Sequence, residues 1–121
     1  MIYLSRPLTA LICCVLMTLS SPSWAESREQ QAWQLIKQGA LIIDVRSTEE
    51  YASGHLPYSL HIPYEQVEQQ FAQLELRKDR SVVLYCRSGN RAGIAYKALE
   101  KIGYTALHNG GGLNALLQTP H

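Results

Sequence analysis

Ser81-Val82-Val83-Leu84-Tyr85-Cys86-Arg87-Ser88-Gly89-Asn90-Arg91 is an apolar run that breaks into a short polar loop, and a helix-like stretch opens near Ala92. The run predicts a buried strand. A thiol at the turn from strand to helix meets converging backbone N–H groups and the positive end of a helix. Arg87 and Arg91 add positive charge on either side. Such surroundings stabilise a sulfur anion, so Cys86 reads as a nucleophile. The polar, Gly-containing neighbourhood argues against a buried bystander.

Outward from this loop the chain alternates helices and strands. Ser27 with Gln30 fits a capping box, and Ala32, Leu35 and Ile36 follow at helical spacing until Gly39. Leu41-Ile42-Ile43, ending in Asp44-Val45-Arg46, predicts a strand buried on both faces of a parallel sheet. Ser47 and Glu50 form a second capping box, for a short helix over residues 48–52. Ser59-Leu60-His61-Ile62 reads as a short strand. Residues 64–76 read as an amphipathic helix with Val67, Phe71 and Leu74 on its inner face. Arg77-Lys78-Asp79-Arg80 is a solvated turn.

Beyond the loop, Ala92, Ala95, Tyr96 and Leu99 make one helical stripe that ends at Gly103. Tyr104-Thr105-Ala106-Leu107-His108 predicts a further strand, Asn109-Gly110-Gly111-Gly112 a flexible turn, and residues 113–117 a final helix. The fold class is therefore α/β, an open parallel sheet flanked by helices on both faces, with ligands at the carboxyl ends of the strands.

The 121 residues suit one compact domain. Eleven Lys and Arg stand against ten Asp and Glu, and Arg6 is the only charged residue before Glu26. Without Arg6 the charges balance, which gives no support to nucleic-acid binding or a polybasic membrane patch. Residues 8–19 are uncharged and largely apolar, and Ser23-Trp24-Ala25 places small residues where a signal peptidase reads. The apolar run falls short of the ~20 residues that span a bilayer. The expectation is a signal peptide over residues 1–25, export to the periplasm, a single domain over residues 26–121, and no stable membrane association after cleavage. Cys13 and Cys14 leave with the signal, so Cys86 is the sole cysteine of the mature chain and no internal disulfide can form.

Together these motifs resemble the rhodanese (thiosulfate sulfurtransferase) family. The resemblance rests on Asp44-Val45-Arg46, the run Glu50-Tyr51-Ala52-Ser53-Gly54-His55-Leu56-Pro57 leading to Ile62-Pro63, the loop at residues 86–91, and Gly103-Tyr104 followed by Gly110-Gly111-Gly112. It implies the rhodanese-like fold and transfer of sulfane sulfur through a persulfide on Cys86, with no cofactor. The donor is a small anionic sulfur compound such as thiosulfate, and the acceptor is cyanide or a thiol. Arg87, Ser88, Gly89, Asn90 and Arg91 bind the substrate in this reading, with Arg87 and Arg91 holding the donor's charge, and Asp44 and Arg46 support the loop structurally. The competing reading from another class is a non-catalytic rhodanese module used in binding or regulation; such modules commonly lack the cysteine that this chain keeps.

Loop length separates this family from its phosphatase and arsenate reductase relatives. Those place five residues between cysteine and arginine; here Arg87, Ser88, Gly89 and Asn90 make four. The smaller ring of N–H groups suits one sulfur atom better than a tetrahedral oxyanion. Arg87 beside the cysteine favours a dianionic donor over mercaptopyruvate. His55, His61 and His108 lack ligand-like spacing and read as structural, so no metal site is expected. Two departures from the family pattern stand out. Tyr58-Ser59-Leu60 replaces the usual Gly-Ala and apolar residue, so that turn forms without its customary glycine. The chain also stops soon after Leu117, where many relatives continue through a Trp-containing segment, and a more open pocket is expected on that side.

Overall fold

The computed structural model describes residues 25–121. Apart from Ala25, the expected signal peptide lies outside them, as do Cys13 and Cys14. Among the described residues no helix is long and apolar enough to cross a membrane.

Both predicted capping boxes form. Ser27 Oγ accepts the Gln30 N–H and starts α1 (Arg28–Lys37), and Ser47 Oγ accepts the Glu50 N–H and starts α2 (Thr48–Ala52). Each satisfies backbone donors that a helix start leaves without partners. The strands are β1 (Leu41–Asp44), β2 (Leu60–His61), β3 (Val82–Cys86) and β4 (Leu107–Gly112), all parallel, in the order β2-β1-β3-β4. The remaining helices are α3 (Val67–Leu74), α4 (Asn90–Lys101) and α5 (Leu113–Gln118).

Period-two alternation along β3 splits the core into two layers. Val82, Leu84 and Cys86 face the side where Val67, Phe71, Ala92, Ala95 and Leu99 of α3 and α4 pack. Val83 and Tyr85 face the other side, against Ala32 of α1 and Leu116 of α5. The fold class read from the sequence is the one observed.

Three details depart from the sequence reading. Residues 64–76 are not one helix: a 3-10 turn at Tyr64–Gln66 leads into α3, which ends at Glu75 in the left-handed region (φ +51°) and leaves Leu74 43% exposed. The break follows Pro63, which fixes the direction of entry. The run Asn109-Gly110-Gly111-Gly112 is strand, not flexible turn, and β4 begins only at Leu107. Its glycines provide room. A Cβ on Gly112 would stand 2.2 Å from the Arg87 carbonyl oxygen, and one on Gly110 would stand 3.0 Å from Val83 Cγ1. The step from Leu84 to Cys86 on β3 spans Asn109 to Gly112 on β4, one residue more, and Gly111 takes a φ of +89° in this bulge. Finally, Cys86 is fully buried, because it is still part of β3 and its side chain faces the α4 layer.

The turn that lacks its customary glycine is built at a conformational cost. Ser59 N–H donates to the Leu56 carbonyl across Pro57-Tyr58, and Tyr58 sits third in this turn with φ +64° while 96% exposed. A positive φ at that place is the type II requirement that glycine usually meets. Tyr85 holds the turn from below: its hydroxyl accepts the Leu56 N–H at 3.0 Å and donates to Ser59 Oγ at 3.3 Å. Burial pushes the Tyr85 hydroxyl up to about 12, so it stays protonated and able to donate. Tyr58→Gly removes left-handed strain of ~1–2 kcal/mol and buries nothing less, against a larger unfolded-state entropy. We expect a net gain of about 0.5–1 kcal/mol in urea denaturation; equal or lower stability would show the turn to be unstrained.

Candidate functional site

Cys86 ends β3 at the carboxyl edge of the sheet, and α4 begins at Asn90, capped by Gly89 at φ +97°. The Gly89 N–H donates to Cys86 Sγ at 2.9 Å. The loop thus curls its backbone around the sulfur at the positive end of a twelve-residue helix. Among the described residues Cys86 is the free cysteine.

The two arginines that flank the loop do different things. Arg91, in the first turn of α4, is committed to Glu50 of α2, with Nη1 at 2.6 Å from Oε1 and Nη2 at 3.0 Å from Oε2. The Arg91 guanidinium holds the Glu50 carboxyl down to about 2, and Glu50 in turn raises Arg91. Arg87 is exposed, and its guanidinium has no hydrogen-bond or ion-pair partner among the described residues. It lines a cavity of about 230 Å³ together with Arg46, Glu50, Ser53, Leu113 and Asn114. A larger cleft of about 670 Å³ between α3 and α4 includes Tyr64, Lys78 and Ile102; Cys86 lines neither cavity, and Arg87 beside it in sequence is the loop residue that reaches the smaller one.

Asp44 and Arg46 form a buried pair. Arg46 donates from Nε and Nη2 to both Asp44 oxygens at 2.7–3.0 Å and from Nη2 to the Gly54 carbonyl at 2.6 Å. Asp44 also accepts the Arg46 N–H, and Asp44 raises the Arg46 guanidinium further. This network ties the end of β1 to the turn after α2; Arg46 also lies over the Tyr85 ring, one residue before Cys86, and shares the cavity wall with Arg87. Ser88 and Asn90 are exposed.

The histidines are engaged as packing and hydrogen-bonding groups. His55 and His61 both stack on Tyr51, His61 Nε2 bonds to the Arg46 carbonyl, and His108 Nε2 bonds to the Arg28 carbonyl. Among the described residues no cluster suited to a metal ion is found.

Sequence reasoning missed three loop contacts. Glu50 read only as a capping residue. Asn109 read as part of a turn, but its Nδ2 donates to the Gly89 carbonyl at 2.9 Å. Arg28, whose Nη2 donates to the Ser88 carbonyl at 2.9 Å, lies 60 residues away in sequence, with no local signal to mark it.

A parallel α/β sheet that carries a buried thiol at the carboxyl end of a central strand, with an N–H of the short loop that follows donating to it, defines a class of small cysteine-loop domains. The chain belongs to the rhodanese-like domain family, whose model matches residues 28–119. It is 37% identical over 71 residues to thiosulfate sulfurtransferase PspE of Escherichia coli K12, covering 59% of this chain and 68% of that protein. The uncharacterized protein YqhL of Bacillus subtilis is 39% identical over 70 residues, which cover 58% of this chain and 54% of YqhL, about half its length. A solved structure of a rhodanese with anions from E. coli superposes with a TM-score of 0.61 at 33% identity, covering 67% of this chain and 94% of that one.

The Glu50–Arg91 pair sets a pH signature. A carboxyl ordinarily at 4.5 and held near 2 when folded contributes stability above pH about 4.5, and that contribution is lost as pH falls towards 2. For a partly exposed pair the contribution is about 1 kcal/mol after solvent screening. Glu50→Gln should therefore be less stable than wild type at pH 7, with the gap closing between pH 4.5 and 2; a gap that does not change with pH would rule out the pair as its source.

Proposed function

We propose that the protein is a thiosulfate sulfurtransferase that carries sulfane sulfur as a persulfide on Cys86. The Cys86 thiolate attacks the outer sulfur of thiosulfate. A new S–S bond forms, the S–S bond of thiosulfate breaks, and its electron pair leaves with sulfite. An acceptor, cyanide or a thiolate, then attacks the outer sulfur of the persulfide and regenerates the Cys86 thiolate. This is covalent, ping-pong chemistry.

The observation that carries this reading is the 2.9 Å hydrogen bond from Gly89 N–H to Cys86 Sγ within a loop too short for a tetrahedral oxyanion. Fixed N–H dipoles stabilise sulfur charge without reorganising during the reaction. Arg87 is the residue assigned to the donor's charge, since it lines the cavity while Arg91 is held by Glu50. Arg91 then acts on the donor by charge at a distance, and Ser88, Gly89 and Asn90 supply backbone. The names of sulfurtransferase relatives agree with this chemistry. Export to the periplasm belongs to the same reading and rests on the sequence of residues 1–25.

Two measurements test the assignment. Mass spectrometry after thiosulfate treatment should find one added sulfur on the peptide containing Cys86, and thiocyanate formation should vanish in Cys86→Ser; wild-type-like turnover by that variant would sink the mechanism. Arg87→Gln should raise the KM for thiosulfate about ten- to a hundredfold, the scale of one charge-assisted contact of about 1.5–3 kcal/mol. An unchanged KM would move the anion site away from Arg87.

A further inference from the structure

The back of the cysteine loop is held by a side chain outside the chemistry above. Arg28 opens α1 and is absent from the cavity wall that includes Arg87. Its guanidinium fills the space that side chains at positions 89 and 111 would need: a Cβ on Gly89 would stand 2.6 Å from Nη1, and one on Gly111 2.7 Å from Nε. Both glycines have positive φ, +97° and +89°. The position of Arg28 is fixed in turn by Glu29 Oε1, 3.1 Å from its Nε, and by His108 Nε2, which donates to the Arg28 carbonyl at 2.7 Å.

The Ser88 carbonyl and the Gly89 N–H belong to one trans peptide plane, so they point in opposite directions. Arg28 Nη2 donates to that carbonyl at 2.9 Å on the outer side, and the N–H donates to Cys86 Sγ at 2.9 Å on the inner side. The carbonyl of the next peptide is held as well. Asn109 Nδ2 donates to the Gly89 carbonyl, while Asn109 Oδ1 accepts the Gly111 N–H at 3.0 Å and ties the loop to β4. If the 88–89 peptide turned over, a carbonyl oxygen would face the sulfur in place of a donor.

We infer that Arg28 is a positioning residue for sulfur transfer: it locks the Ser88-Gly89 peptide with its N–H on the reacting sulfur and polarises that peptide as the sulfur gains charge. The inference rests on Cys86 as the sulfur carrier. Because Arg28 acts through the loop from behind, it affects the chemical step and leaves donor binding at Arg87 alone.

Arg28→Met and Arg28→Lys, compared with wild type, decide the point. Readouts are thermal unfolding, kcat and KM with thiosulfate and cyanide, and the rate of Cys86 alkylation by neutral iodoacetamide. Arg28→Met should unfold cooperatively, keep its KM for thiosulfate within twofold, and lose about tenfold in both kcat and alkylation rate, at or below the loss expected for one stabilising donor. Arg28→Lys should recover most of both rates, since it restores a charge and a donor. Wild-type rates in Arg28→Met, a raised KM in place of a lowered kcat, or a lysine variant as impaired as the methionine one would each overturn the inference. Should Arg28→Met fail to fold, Arg28→Ala, which likewise lacks a charge and a donor, gives the same comparison. A wild-type protein without turnover would instead sink the sulfurtransferase reading, and the alkylation rates, which need no sulfur donor, would still decide the role of Arg28.

Discussion

At Gly112 and Arg87 two backbones meet with no space between them for a side chain, since a Cβ on residue 112 would stand 2.2 Å from the Arg87 carbonyl oxygen. That close approach lets β4 run beside β3 up to Cys86, and it closes the loop tightly enough for the Gly89 N–H to reach the sulfur. Protein interiors are packed too densely for such an approach to relax around an added methyl group. The glycine run therefore sets the position of the thiol loop, although none of its atoms takes part in the proposed chemistry.

Charge is distributed around this backbone with a division of labour. Asp44 and Arg46 neutralise one another in the core, where removal of either partner would leave a buried charge uncompensated. Glu50 and Arg91 bind α2 to the start of α4 across 41 residues of sequence. Arg28 and Asn109 hold carbonyls on the outer side of the loop. Arg87 remains exposed at the mouth of the cavity, so the loop carries one arginine for structure and another directed at solvent.

Local signals predicted local structure well. Ser27 with Gln30 and Ser47 with Glu50 set helix starts because a capping box is satisfied within four residues of chain. The apolar runs of β1 and β3 likewise read as strands covered on both faces. The turn at Tyr58 was legible as a departure from the family pattern, though its positive φ depends on Tyr85 holding Leu56 and Ser59 from another strand. Where the reading failed, the deciding contact was distant. Gly110-Gly111-Gly112 looks flexible in isolation and becomes strand only because Val83 and Arg87 press against it. Cys86 looks exposed beside Arg87 and Ser88, yet strand alternation turns its side chain under α4.

From the sequence alone came the α/β class, the order of its elements, the thiol at a strand-to-helix turn and the four-residue spacing to Arg91, all properties of neighbouring residues and their periodicity. Tertiary structure alone decided which arginine is committed and which is exposed, and which distant side chains hold the loop. Glu50, Arg28 and Asn109 carry no mark of these roles in their own surroundings, because hydrogen bonds between residues 20 to 60 positions apart exist only once the parallel sheet has brought their elements together.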